Sequence, residues 1–222
     1  MTQPTSPGRR SSTSTLERSW VWEPAVVAVA MLSTAVYWSL TITSWLGAQA
    51  YQPHQNSFAS NRDFASGLDF VFKVAAFIFT GIWLARARRN AVRIALTPQR
   101  RDKMWVWLGW IVPIVSLWYP KQVIDDVWRA TLPSEPTTRW WWGTWIASQL
   151  LGGFADSWAS GLKGPVPGTT NLTNRVTWIE DLVWLELLAA LAMTIALPLW
   201  IRVVRTITTA QEARADVEVS PR

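Results

Sequence analysis

Four long apolar stretches are spread along the 222-residue chain, and they limit the folds that it can adopt. They cover residues 24–46, 66–86, 140–157 and 181–201. A helix rises about 1.5 Å per residue, so three of these stretches can cross a hydrocarbon layer of roughly 30 Å, and residues 140–157 are just long enough. Only 16% of the residues are charged, against about a quarter in soluble domains. The sequence therefore predicts an all-α integral membrane protein with four transmembrane helices.

A fifth apolar stretch, residues 104–118, is too short to cross the membrane comfortably. As a helix it would span about 22 Å, and Pro113 would interrupt it. If this stretch crosses, 12 basic residues fall inside and 8 outside; if it dips in and returns, the split is 17 to 3. The positive-inside rule favours the second arrangement. We therefore predict a re-entrant or interfacial segment, with both termini on the cytoplasmic side of the plasma membrane.

The segment after this stretch has the pattern of an amphipathic helix lying on the membrane surface, over residues 121–131. Four apolar residues fall on one helical face: Val123, Ile124, Val127 and Trp128. On the other face, Asp125 and Arg129 have the i,i+4 spacing of an ion pair. A helix with one apolar face and one charged face is typical of the cytoplasmic membrane surface.

The two ends of the chain are polar. Residues 1–19 are rich in Ser, Thr, Pro and Arg and are predicted to be a disordered cytoplasmic tail. Residues 20–205 then form a single membrane domain, and residues 206–222 form a polar C-terminal tail.

The residue types needed for most site chemistry are scarce in this chain. It has no cysteine, and its one histidine, His54, lies in a polar loop. We find no catalytic constellation, no metal-ligand spacing and no cofactor-binding loop, so we expect a protein that is not an enzyme. The net charge of +6 is clustered at the ends of apolar stretches, which argues against a nucleic-acid-binding face.

Tryptophan is unusually frequent, with 18 residues, many of them near the ends of apolar stretches. Indole prefers the headgroup level of a bilayer, which favours an interfacial belt. The alternative is an aromatic pocket for an aromatic or cationic ligand.

Three segments together resemble a known family: ARARRNAVRIAL (85–96), WVWLGWIVPIVSLWYPKQVIDDVWRATLP (105–133) and WWWGTWIASQLL (140–151). The pattern is similar to the bacterial, mostly actinobacterial, membrane family catalogued as domain of unknown function 4328. The residues that carry the resemblance are Arg89, Asn90, Trp110, Pro113, Trp118, Pro120, Trp128 and Arg129. Ser116 stands where the family usually has asparagine. The resemblance implies a membrane location and this architecture, but no activity.

Two features inside the apolar stretches are candidates for function. Lys73 and Glu186 are predicted at similar depth and are proposed to pair across helices; the alternative is that Lys73 pairs with Asp69. Small residues four apart in the third long stretch, such as Ser148 and Gly152, favour close helix packing, or else assembly of a homo-oligomer. Ala192 and Ala196 make the last stretch a plausible partner.

These observations favour a non-enzymatic scaffold, sensor or partner subunit. Its basic cytoplasmic platform, residues 86–139, would contact anionic lipid headgroups in the bilayer or another membrane or cytoplasmic protein. The alternative is a small transporter or channel whose re-entrant segment lines the pathway.

Overall fold

The computed structural model describes residues 16–49, 57–94, 98–161 and 172–219, and all regular structure in these ranges is helical. The α-helices in these ranges are α1 (Glu23–Gln49), α2 (Ser57–Ile94), α3 (Trp105–Ile111), α4 (Tyr119–Thr131), α5 (Thr138–Gly161) and α6 (Leu172–Val219). A 3-10 turn, Trp20–Trp22, precedes α1, and a second one, Val115–Leu117, lies between α3 and α4. The prediction of an all-α fold is confirmed.

Three of these helices are long and apolar enough to cross a membrane, which indicates a membrane protein. The segments are Trp20–Gln49, Asp63–Ile94 and Ile179–Asp216. The 24 residues of α5 would reach about 36 Å. However, α5 is not among the candidate spans, since tryptophan, glycine and polar residues such as Gln149 and Asp156 lower its mean hydropathy. Crossing by α5 therefore stays a prediction, as does re-entry by residues 104–118.

The bundle is built around α6, with α5 and α1 packed along it and α2 packed on α1. The α5–α6 contact is antiparallel and continuous. The rings of Trp141 and Trp200 stack with centroids 4.4 Å apart, and Ser148 Oγ lies 3.6 Å from Met193 Sδ. Nearer the other end of α5, Ala155 and Ala159 pack in a cluster with Leu182. Small residues at these positions allow the two helices to approach closely.

Residues 104–118 turn back instead of forming a continuous helix, and α4 is the returning arm of the hairpin that they make. After α3 ends, Ile114 takes a φ of 66°, and the N–H of Val115 donates to the C=O of Pro113 at 2.7 Å. This is the geometry of a classic γ-turn, which is rare and strained for a β-branched residue. The chain then returns alongside α3, so a Cβ added at Gly109 would lie 3.4 Å from Cβ of Tyr119.

Both ends of this hairpin meet the same end of the bundle. Where the chain enters, Arg88 of α2 donates a hydrogen bond to the C=O of Arg101. Where it leaves, Thr131 at the end of α4 accepts a hydrogen bond from Gln211 of α6 at 3.3 Å. The hairpin therefore starts from and returns to one end of the helices.

The helix predicted over 121–131 is present as α4, but it does not have a free polar face. Asp125 and Asp126 are buried as well as the apolar residues. Asp125 bonds with Lys121 at 2.6 Å and with Thr138, instead of the predicted Arg129. The polar face is buried because α5 and the basic segment before α3 supply its partners.

The ends of the chain also differ from the prediction. The last helix does not end near residue 201 but continues to Val219, because Val203, Val204 and Ile207 extend its apolar face at helical spacing. Part of the predicted polar tail is therefore helical and buried. At the other end, Leu16 is buried on the bundle, although it falls within the predicted disordered tail; residues 1–15 lie outside the described ranges.

Candidate functional site

A buried polar network joins four parts of the chain at one end of the bundle, and Asn90 is at its centre. Asn90 is 1% exposed. Its Nδ2 donates to the C=O of Glu17 at 2.7 Å and to Oε1 of Gln211 at 3.1 Å. Its Oδ1 accepts the backbone N–H of Glu17, also at 2.7 Å. One amide thus fixes the segment before α1 against α2 and α6.

Gln211 extends this network to α4. Its Nε2 donates to the C=O of Ala87 at 2.9 Å and to Oγ1 of Thr131 at 3.3 Å. Its Oε1 also accepts a hydrogen bond from Ser19 Oγ at 3.2 Å. Because buried amides are costly when unsatisfied, such a network specifies one arrangement of the segments that it joins.

Arg89 stands beside Asn90 and makes an ion pair with the same N-terminal segment. Its Nε and Nη2 each donate to a carboxylate oxygen of Glu17 at 2.6 Å, which is the bidentate geometry of a strong pair. The hydrogen bond from Arg89 lowers the pKa of the Glu17 carboxyl, so this group is ionised at neutral pH.

A basic groove of about 970 Å³ lies between the end of α2 and the chain that enters α3. Five of its residues are cationic and one is acidic: Arg88, Arg89, Arg93, Arg101, Lys103 and Asp102. Apolar side chains continue the groove, and two of them are well exposed, Val92 at 56% and Met104 at 52%. The groove thus places cationic side chains beside exposed apolar ones, which suits an anionic amphiphile.

The hairpin is fixed to α2 and α5 by aromatic contacts. The ring of Trp107 covers Gly81, where an added Cβ would lie 2.6 Å from Cη2, and it meets Phe77 edge-on with centroids 5.4 Å apart. Trp110 meets Trp142 and Trp145 edge-on with centroids 6.2 and 5.7 Å apart. Only a residue without a side chain allows the approach at α2.

A central cavity of about 410 Å³ lies between α1, α2, α5 and α6, and α3 closes one part of it. Its walls are mainly apolar and aromatic, with tryptophans from three helices: Trp110, Trp141, Trp145 and Trp200. Polar side chains line it as well, among them Ser33, Tyr37 and Gln149. The volume falls within the range of small-molecule sites.

Lys73 borders this cavity and also a smaller one of about 20 Å³. Its Nζ lies 2.6 Å from Oδ2 of Asp69 and 5.6 Å from the ring centroid of Tyr37. Glu186 is buried and lines the same smaller cavity. The two residues predicted to pair thus share one cavity, and a direct pair between them stays a prediction.

The other candidate residues predicted from the sequence lie in the hairpin or in α4. Pro120 is buried in the first turn of α4, and Trp128 is buried with Nε1 donating to the C=O of Ser134 at 3.0 Å. The N–H of Ser116 donates to the C=O of Val112 at 2.9 Å. Arg129 lies 3.9 Å from Glu135 at the surface.

The remaining two residues of the family pattern, Pro113 and Trp118, lie on either side of the tip of the hairpin. Pro113 precedes the γ-turn, and Trp118 is exposed just before α4. The exposed residues around them are apolar, including Ile111 and Ile114. The tip therefore presents an apolar surface outward.

The tryptophans divide between the interior and the outer surface. Some near the ends of apolar stretches are exposed, as an interfacial belt requires: Trp45, Trp118, Trp140 and Trp184. Others are buried in the bundle: Trp83, Trp128, Trp141, Trp142 and Trp200. A belt alone therefore does not account for the high tryptophan content.

Three residues that matter for this geometry were missed from the sequence: Glu17, Gly81 and Gln211. Gln211 had a signal, because it continues the helical spacing of Ile207 and Thr208. Glu17 and Gly81 had none, since their roles depend on Arg89, Asn90 and Trp107 approaching in space.

Comparison with known proteins places the chain in a family. The sequence model of the family described as Domain of unknown function (DUF4328) matches residues 56–209. No curated protein and no solved structure matches the chain. The match runs from α2 into α6, includes the basic groove and the hairpin, and covers well over half of the sequence. The chain therefore belongs to the DUF4328 family.

Proposed function

We propose that this protein is a non-enzymatic sensor or scaffold of the plasma membrane that recognises anionic phospholipids at its cytoplasmic face. The basic groove carries the proposal. Two of its cations, Arg93 and Lys103, are exposed and suit a phosphate headgroup, and the exposed apolar side chains of Val92 and Met104 suit the start of an acyl chain. The same face is also where a partner protein would bind.

The proposed topology has four crossings and both termini inside. It is supported by the network at Asn90, which puts the start of α1, the end of α2 and the last part of α6 at one end of the bundle. The hairpin leaves from and returns to that end, as a re-entrant segment does. Basic residues are concentrated there, which makes it the cytoplasmic end by the positive-inside rule.

Crossing by α5 is supported by its contact with α6. The contact runs from Trp141 against Trp200 to Ala159 near Leu182, about 27 Å along α5. The facing part of α6 is its most apolar region, so α5 extends as deep as a helix that is apolar enough to cross. Of the small residues four apart on α5, Ser148 contacts Met193 of α6 and Gly152 faces Tyr37 of α1, which supports helix packing inside the bundle; a homo-oligomer stays a separate proposal.

Removing two cations from the groove should weaken binding of phosphatidylglycerol. We expect the double variant Arg93→Ala, Lys103→Ala to lose about 2 kcal/mol, or roughly 30-fold in affinity, because each cation near an anionic headgroup contributes about 1 kcal/mol. Native mass spectrometry of delipidated protein, titrated with phosphatidylglycerol and with phosphatidylcholine, measures the affinities.

The matched control for this test removes two exposed cations from α6, as Arg202→Ala with Arg214→Ala. The two double variants have the same net charge. If the headgroup binds at the groove, the control should bind phosphatidylglycerol as the wild type does. Equal losses in the two variants would mean that only total charge matters, and the proposal would then be wrong.

The topology can be tested with single cysteines, because the chain has none of its own. With an impermeant thiol reagent on intact cells, we expect Ser160→Cys to be labelled and Ser134→Cys to be labelled only after lysis. These exposed positions follow and precede the apolar part of α5. Ala213→Cys in α6 should behave like Ser134→Cys. Labelling of Ser134→Cys from outside would mean that residues 104–118 cross.

A small transporter or channel is the second candidate, and the central cavity is the observation that favours it. The re-entrant hairpin contributes Trp110 and Ile111 to the wall of that cavity, as broken helices do in transporters. Flux of a solute in proteoliposomes that depends on the cavity would favour transport over a sensor or scaffold.

A further inference from the structure

We propose that the central cavity binds an uncharged amphiphile that is soluble in the membrane, with an aromatic or similarly flat apolar body and a carbonyl head. This site is separate from the basic groove, and neither site depends on the other. The proposal rests on the shape and lining of the cavity, on one buried hydroxyl, and on the charge of the wall.

The wall favours a flat apolar body. The tryptophans from α3, α5 and α6 line one cavity with Phe77 of α2, so aromatic faces and edges are presented from several sides. Aromatic pairs gain beyond area burial when they stack offset or edge-to-face. Three helices around the cavity, α1, α2 and α6, contain candidate membrane spans. A ligand would therefore reach the cavity from the hydrocarbon phase.

Ser33 supplies the head-recognition group. The residue lines the cavity, and its Oγ has no hydrogen-bond partner within the described part of the chain; in this rotamer the Oγ lies just behind the cavity surface. Other hydroxyls of α1 donate to a carbonyl three or four residues back, as Thr34 does to Ala30 and Thr41 does to Tyr37. A buried hydroxyl without a partner is costly, and rotation of the Ser33 side chain toward the cavity would let it donate a hydrogen bond to the C=O of a ligand.

The charge of the wall selects an uncharged ligand. Among the described residues that line the cavity, Lys73 carries the only charge, and Asp69 neutralises it at 2.6 Å. Tyr37 accepts a hydrogen bond from Gln149 at 3.1 Å, so its own proton remains available to a second acceptor atom. An ion entering this cavity would lose hydration without gaining a free counter-ion.

Benzophenone is a suitable probe, because it is uncharged, has two aromatic rings and one carbonyl, and attaches covalently to nearby C–H bonds under near-ultraviolet light. Full-length protein in detergent would be illuminated with increasing benzophenone, and the labelled residues mapped by mass spectrometry. We expect saturable labelling of cavity-lining residues on α1, α5 or α6.

Two variants and one control variant make the test decisive. Ala30→Phe fills the cavity from α1 and should abolish the saturable labelling, whereas Ala35→Phe, on the exposed face of the same helix, should leave it unchanged. Ser33→Ala should raise the half-maximal concentration by about 3–10-fold, the effect of one lost hydrogen bond, without lowering thermal stability. Labelling that is spread over outward faces, or that is unaffected by Ala30→Phe and Ser33→Ala, would overturn the proposal.

Discussion

Replacing Asn90 with alanine should destabilise the protein by about 2–4 kcal/mol and release the segment before α1. The substitution removes both hydrogen bonds to the backbone of Glu17 and the one to Gln211. Gln211 would keep its own bond to Thr131, but its Oε1 would lose a donor in a buried site. Among the polar contacts of the segment, only the ion pair between Arg89 and Glu17 and the hydrogen bond from Ser19 to Gln211 would be left within the described ranges, so the segment would detach more often.

Two measurements check this result. The wild-type protein has enough tryptophan for its unfolding in detergent to be followed by intrinsic fluorescence, which gives the change in stability. Limited trypsin digestion reports the local effect, because release of the segment would make the exposed Arg18 a cleavage site. We expect a new N-terminus at Ser19 to appear in Asn90→Ala well before it appears in the wild type.

Gln122→Ala is the matched control, since it also removes a helical amide but a half-buried one that accepts a single hydrogen bond from Arg101. It should lower stability by about 1 kcal/mol or less and leave cleavage after Arg18 unchanged. If Asn90→Ala has no larger effect than Gln122→Ala on either readout, Asn90 does not hold these segments together.

Replacing Gly81 with valine should displace the hairpin from α2. A Cβ at this position would overlap the ring of Trp107, and the added γ-methyls would worsen the overlap. Overpacking of a close-packed site costs about 1–3 kcal/mol, because the ring can move only by disturbing its edge-on contact with Phe77. The unfolding midpoint should fall accordingly. Cysteines introduced at Ala85 and Met104, in the wild type and in Gly81→Val, should also crosslink more slowly in Gly81→Val.

Gly67→Val provides the control on the same helix. Nothing lies within 4 Å of a Cβ added at Gly67, so this variant carries the same change in helix propensity without an overlap. We expect its stability to stay within about 0.5 kcal/mol of the wild type. A second variant, Gly81→Val with Trp107→Ala, should recover part of the crosslinking rate if the overlap with the ring is the cause.

The residues of the family pattern show how far sequence reasoning reached. Arg89 and Asn90 were identified as important, but their partner Glu17 lies 72 and 73 residues away and falls in a segment predicted to be disordered. Nothing in the composition of that segment shows that Leu16 and Ser19 are buried. Composition describes a chain segment alone, whereas its order here comes from contacts with α2 and α6.

The hairpin shows a different limit. Its length and Pro113 indicated that residues 104–118 would not form one spanning helix, since a short helix broken by proline leaves backbone groups unsatisfied in lipid. The sequence did not predict the turn at Ile114, because a β-branched residue disfavours a positive φ. Tertiary contacts hold that backbone in place, through Trp107 on Gly81 and Trp142 Nε1 donating to the C=O of Leu117 at 2.9 Å.

The sequence by itself determined the helical class, the membrane character, the approximate places of the long helices and the concentration of basic charge. These properties follow from hydrophobicity and charge, which can be read along the chain. Only the tertiary structure decided that the basic residues border a groove, that five tryptophans of the described ranges are buried, and that Asn90 joins three segments. Those features depend on which side chains of distant segments meet, and no local pattern in the sequence specifies such meetings.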